Sequence, residues 1–203
     1  MKLSKKGEYA LRALIELGIA QEVGRELVQV TELAGSKQIP IKFLEQIMVD
    51  LRGAGWVESR RGKFGGYRLR VPARSLPIGQ IVRAIEGPLA PIGCVSQSAY
   101  EPCSCPDEDH CGLRMLMMDV RNAIAGILDR YTLADVVEVT LRKMRRDGLP
   151  LPYADSHVAP RPVAVPVSAA RRRSAAAPAS PIFPARLAPV EGLIKDLFED
   201  YTI

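Results

Sequence analysis

The chain has 203 residues, 47 % of them apolar and 25 % charged, with a formal net charge of +5. That is enough apolar sequence for one or two small domains with a real core, and it excludes a wholly unstructured polar chain. No apolar run approaches the ~20 residues that span a bilayer. The charged, amphipathic start also lacks the apolar stretch of a secretory signal, so a cytoplasmic location without a membrane partner is expected.

The charge is uneven. Residues 1–74 carry 14 Lys and Arg against 8 Asp and Glu, net +6, whereas residues 75–149 carry 8 against 10. The excess places a polyanion-binding surface on the N-terminal third. There, residues 4–21 have the apolar spacing of a helix, with Ser4 as N-cap and Gly24 as stop. Leu27–Val30 is a short β-like run. Thr31 is expected to cap a second helix, Glu32–Ser36. Pro40 suits the first turn of a third helix, which runs to about Arg52 with Ile41, Leu44, Ile47, Met48 and Leu51 on its apolar face. From Trp56 to Arg70 the period changes to two on either side of a glycine-rich basic tip, Arg61–Gly66, which predicts a β-hairpin.

Three helices followed by a basic hairpin form the plan of a winged helix-turn-helix. Lys42, Phe43, Glu45 and Gln46 lie off the apolar face of the third helix or near its start, where a recognition helix reads base edges. Lys2, Lys5, Lys6, Arg60, Arg61 and Lys63 are candidate phosphate or minor-groove contacts. For any single one of them a solvated charge is the competing reading.

Further along, Ser75–Glu86 reads as a helix stopped by Gly87 and Pro88. A loop then runs from Pro91 to Cys111. Gly112–Arg130 is the longest helical pattern, with a stripe of Leu113, Leu116, Met117, Val120, Ile124, Ile127 and Leu128 that suits a second copy of the chain or the monomer core. Thr132 caps a last helix, Leu133–Arg146. Residues 150–190 hold nine of the sixteen prolines, so a disordered linker is expected from 148 to 190. Residues 191–203 are expected to form a short amphipathic helix that suits docking on the body or on an unknown protein partner. The expected units are thus a DNA-binding domain (1–74), a cysteine loop with dimerisation helices (75–147), the linker and the terminal helix.

All four cysteines, Cys94, Cys103, Cys105 and Cys111, fall in the loop before the long helix. Thiolates suit zinc and iron–sulfur clusters alike, and the C-x₂-C pair usual for zinc is missing. A zinc site and a labile Cys103–Cys105 disulfide remain alternatives. No nucleophile–base triad, phosphate loop or paired carboxylate suggests an enzyme.

The opening Met1–Leu14, the run Phe43-Leu44-Glu45-Gln46-Ile47, the tip Arg61-Gly62-Lys63-Phe64-Gly65-Gly66-Tyr67-Arg68-Leu69 and the motif Thr132-Leu133-Ala134-Asp135-Val136 together resemble the Rrf-type family of transcriptional regulators. That family includes iron–sulfur-assembly repressors (IscR-like) and nitric-oxide-sensitive repressors (NsrR-like). The resemblance spans about residues 1–147. It implies a mainly helical winged-helix homodimer bound to double-stranded operator DNA. It also implies three cysteines per subunit holding a [2Fe–2S] or [4Fe–4S] cluster that alters DNA affinity. The matching trio is Cys94, Cys105 and Cys111. Cys103 is a spare or alternative ligand, since a neighbour two positions away is expected to bind the same cluster only with strain. Glu8, from the first helix of the other subunit, or His110 would complete the site. A regulator that uses its thiols without metal is the main alternative, and an iron–sulfur carrier or scaffold is a more distant one.

Overall fold

The computed structural model describes residues 2–153. The expected terminal helix and residues 154–190 of the expected linker lie outside the described residues. α1 (Lys5–Glu22) is the central element, against which α2 (Val30–Lys37), α3 (Ile41–Gly53), α4 (Ile78–Glu86) and α6 (Leu133–Arg146) all pack. Ser4 caps it by accepting the Gly7 N–H at 3.1 Å. Ala10, Ala13, Leu14, Leu17 and Ile19 are buried along it. Gly18 sets the approach of α6, because a Cβ there would lie 2.6 Å from Val137 Cγ2.

β1 (Val57–Arg60) and β2 (Gly66–Leu69) pair antiparallel, from Val57 opposite Leu69 to Arg60 opposite Gly66. The β-like run before α2 contributes one residue to this sheet. Val28 donates to Tyr67 O at 3.0 Å and accepts from Tyr67 N at 2.8 Å. Gly66 permits that approach, since a Cβ there would sit 2.6 Å from Val28 O.

Two helix starts differ from expectation. α2 begins at Val30, with Gln29 rather than Thr31 at the N-cap position and no side-chain cap. Its first bond runs from Leu33 N to Gln29 O at 3.0 Å. The helix expected over 75–86 splits into a 3₁₀ turn (Ala73–Ser75) and α4. Leu76, just before Pro77, is extended at φ −118°, ψ 90°, because the proline ring disfavours the helical region for the residue that precedes it.

α5 (Gly112–Arg130) and α6 lie where their patterns put them. Thr132 and Asp135 form a capping box, with Asp135 N donating to Thr132 Oγ1 at 3.3 Å and Thr132 N to Asp135 Oδ2 at 2.7 Å. α5 has no buried residue. Its Ala125 and Leu128 touch the core, while Leu113, Leu116 and Ile127 stand 57 %, 55 % and 53 % exposed and Val120 37 %. One apolar core runs from Ala10 to Leu141, so residues from both 1–74 and 75–147 contribute to it. That body also extends past the expected start of the linker at 148: Leu151 and Tyr153 pack on the same core. No helix among the described residues is long and apolar enough to cross a membrane.

Candidate functional site

The exposed side of α3 carries Lys42, Phe43, Glu45 and Gln46, while Leu44, Ile47 and Met48 are buried beneath. Phe43 is held edge-on to Tyr9 of α1, with ring centroids 5.8 Å apart. Lys6 reaches from α1 to Asp50 of α3 at 2.8 Å and, ahead of other influences, holds that carboxyl below its ordinary range. Lys5 is likewise paired with Glu8 at 2.8 Å. A phosphate contact by either lysine exchanges an existing partner. The hairpin tip is different. Arg60, Arg61 and Lys63 are exposed, and no carboxylate among the described residues pairs with them. Phe64 stands 82 % exposed, with Lys63 Nζ 5.7 Å from its ring centre. Gln29 donates to Lys63 O at 3.3 Å and so ties the tip to the start of α2. Sequence reasoning passed over this glutamine, and nothing in its spacing marks it.

The cysteine loop is closed by contacts that the spacing also did not reveal. Cys94 is buried in a 3₁₀ turn (Gly93–Val95), and Cys111 is the N-cap of α5. Glu108 is the organiser between them. It accepts from Tyr100 OH at 2.8 and 2.9 Å, from Cys103 N at 3.1 Å and from Cys103 Sγ at 3.4 Å. Tyr100, and then the Cys103 amide, hold its carboxyl below the ordinary range. Arg114 of α5 lies 3.8 Å from Glu108 and donates to Cys94 O at 3.4 Å. Arg121, one helical stretch further on, donates to Val95 O. The acidic run Asp107–Asp109 was visible in the sequence, but which of its members held the loop was not.

The four thiols are free and follow one another along the loop. Burial, and then Cys103, push the Cys94 thiol up. Cys103, then burial and Cys111, push Cys105 up to about 11. Soft thiolates are the donors that suit an iron–sulfur cluster. Among the described residues no three His, Cys, Asp or Glu side chains are set around a single metal ion. Of the candidate fourth ligands, Glu8 is occupied by Lys5 and Arg12. His110, 85 % exposed, holds Asp107 at 2.7 Å.

A last cluster went unforeseen. Glu16 of α1 is wholly buried. Its Oε2 accepts from Tyr153 OH at 2.7 Å and Ser36 Oγ at 3.4 Å. Lys37 Nζ lies 2.8 Å from its Oε1 as an ion pair, although no hydrogen bond of regular geometry reaches that oxygen.

The family described as Rrf2, an iron-dependent transcriptional regulator, matches residues 3–139. The chain belongs to the Rrf2 family. An rrf2-like HTH-type transcriptional regulator of Rhodobacter capsulatus is 42 % identical over 139 residues, which is 66 % of this chain and 91 % of that one. The HTH-type transcriptional regulator IscR of Cereibacter sphaeroides is 48 % identical over 86 residues, 42 % of this chain and 56 % of that one. Among solved structures, CymR, the global cysteine regulator of Bacillus subtilis, superposes with a TM-score of 0.57 at 31 % identity, covering 68 % of this chain and 98 % of that one. The Rrf2 fold is the winged helix, and the chain is a DNA-binding regulator of transcription, not an enzyme.

Proposed function

We propose that this Rrf2-family chain acts as a homodimer on double-stranded operator DNA and that an iron–sulfur cluster on its cysteine loop sets its affinity. Lys42, Phe43, Glu45 and Gln46 read base edges from α3, and Arg60, Arg61 and Lys63 grip the backbone from the hairpin tip. The observation that carries the reading is the run of four free cysteines, Cys94 to Cys111, in the loop that ends at the N-cap of α5. When bound, an iron–sulfur cluster supplies a centre that responds to iron supply, oxidant or nitric oxide.

The chain's own residues link that loop to the DNA-reading part. Arg114 and Arg121 of α5 hold the carbonyls of the Cys94 turn. Arg83 of α4 grips Asp129 of α5 at 2.5 and 3.2 Å. In the same last turn of α4, Glu86 accepts from Ser4 N at 3.1 Å and Ser4 Oγ at 2.7 Å, at the first turn of α1. A change in the loop thus has a bonded route through α5 and α4 to α1, which carries Tyr9 against Phe43 of the recognition helix. The dimer reading rests on the outward apolar seam of α5.

The test is anaerobic purification of the full chain with iron and sulfide analysis and a visible spectrum. Operator titration of loaded and unloaded protein then follows. Stoichiometric iron and sulfide, with a difference of about 1–3 kcal/mol between the two forms, is expected for coupled sites. A metal-free thiol regulator is the second reading, favoured by the likeness to the cysteine regulator CymR. Protein that lacks iron and sulfide yet changes operator affinity on thiol oxidation would establish that second reading instead.

A further inference from the structure

The hairpin tip carries a large apolar side chain in solvent, on a turn that is held from several sides. Phe64 is 82 % exposed. Gly65 N donates to Gly62 O at 2.9 Å and closes the turn, with Lys63 and Phe64 as its two middle residues. Gly62 takes φ +112° there, in the region that favours glycine. A Cβ on Gly65 would run into Arg60 O, so the two limbs of the tip are in contact. Gln29 donates to Lys63 O at 3.3 Å, and Val28 pairs with Tyr67 just behind the tip. The ring of Phe64 therefore sits on a braced turn, and little backbone freedom is lost when something covers it.

The neighbours of the ring say what covers it. Arg60, Arg61 and Lys63 stand exposed beside it, and no carboxylate among the described residues pairs with them. Lys63 Nζ lies 5.7 Å from the ring centre. An apolar surface would cover the ring and leave three cations without a counter-charge. Duplex DNA offers both parts, phosphates for the cations and a stack of aromatic bases at the floor of the minor groove. Glycines at 62, 65 and 66 keep the tip slim, so the one bulky apolar side chain leads into a narrow groove. Phosphate contacts by the three cations leave the ring in water, whereas entry between base pairs covers it.

We propose that Phe64 is a wedge: its ring enters between two base pairs from the minor groove beneath the hairpin tip, parts their stack and bends the duplex. A wedge selects sequence without a hydrogen bond to any base, because pyrimidine–purine steps such as TA and CA part most easily. Each half-site carries such a step at a fixed distance from the bases under α3. The proposal rests on the reading of the hairpin tip as a DNA contact, and Arg61 separates the two.

Duplexes would be selected from a random pool by the full-length wild type at fixed salt. In the selected site, 2-aminopurine would replace each adenine in turn, so that a rise in its fluorescence marks a parted step. Energy transfer between dyes on the duplex ends would report the bend. Wild type should brighten one step in each half-site and bend the duplex. Phe64→Ala should lose both signals and weaken binding by roughly 10–100-fold, with an unchanged salt slope, since no charge is removed. Phe64→Leu should keep part of both signals, because leucine also serves as a wedge. The wild-type pool should hold a pyrimidine–purine step at the brightened position. Circular dichroism and melting should be alike in all three proteins, since the ring is exposed. A Phe64→Ala protein that brightens and bends the duplex as wild type does overturns the proposal. So does a wild type that brightens no step. If Arg61→Ala still lowers the affinity and salt slope in either case, the hairpin remains a DNA contact without a wedge. An Arg61→Ala protein with unchanged affinity and slope takes the tip off the DNA and sinks the underlying reading instead.

Discussion

Replacing Leu116 and Ile127 together by Asp should turn the protein into a monomer. These residues, with Leu113 and Val120, line the outward side of α5, and the first three of the seam's members are more than half exposed in the single chain. Full burial of such a side chain stabilises by ~1.5–3 kcal/mol, so the half still open to burial is worth ~1 kcal/mol each. Four residues on each of two protomers then contribute about 8 kcal/mol gross, against an association cost of comparable size. The double substitution removes about half of that gain, which alone weakens the dimer ~1000-fold. Four carboxylates placed in an apolar seam add a further penalty. Sedimentation equilibrium at micromolar protein measures the dimer directly, with circular dichroism confirming that α5 is still helical. Operator affinity should fall in parallel, since a monomer engages one half-site where a dimer engages two. A folded double variant that stays dimeric would place the interface elsewhere and refute the reasoning.

Arg61→Ala should weaken operator binding and lower the salt slope by about one unit. An unchanged slope in a titration over salt would mean that Arg61 touches no phosphate. Tyr153→Phe removes the 2.7 Å donor to buried Glu16 and should cost ~1–3 kcal/mol in thermal or urea unfolding. Burial pushes the Tyr153 hydroxyl above its ordinary pKa. The folded state therefore holds that proton more tightly than the unfolded one. This contribution is complete below ~pH 10 and is lost as alkali rises through the folded pKa. Wild type should accordingly lose its advantage over Tyr153→Phe only in strong alkali, as read from melting curves against pH. Gly18→Val should destabilise by ~1–3 kcal/mol through its clash with Val137. Equal denaturant midpoints for the two proteins would show that α1 and α6 can separate at no cost.

The elements that the sequence alone determined are those whose signals are local. Ser4 and Thr132 cap helices because a hydroxyl needs only the next turn to bond. α5 shows itself because nineteen residues repeat at helical spacing, and the hairpin because alternation brackets a glycine-rich tip. The resemblance to the Rrf2 family was legible for the same reason, being carried by contiguous motifs. The errors came where a distant residue or the chain's path intervened. Val28 pairs with Tyr67 of the hairpin, close to where α2 begins, and Pro77 delays α4 by constraining Leu76.

Only the tertiary structure decided which charges are engaged and which residue shapes the cysteine loop. Lys5, Lys6 and Arg61 look alike in a list of basic residues, yet the two lysines face carboxylates and, among the described residues, Arg61 does not, because α1 packs on α3 while the hairpin tip projects. Glu108 stands between two other acids, and only the loop's closure onto Arg114 and Tyr100 selects it. Glu16 reads as one more polar residue of an amphipathic helix. Its burial follows from Ser36, Lys37 and Tyr153 converging from positions up to 137 residues away. Sequence fixes what each residue can bond to within a turn of its own backbone, while the folded core fixes which distant partner is within reach.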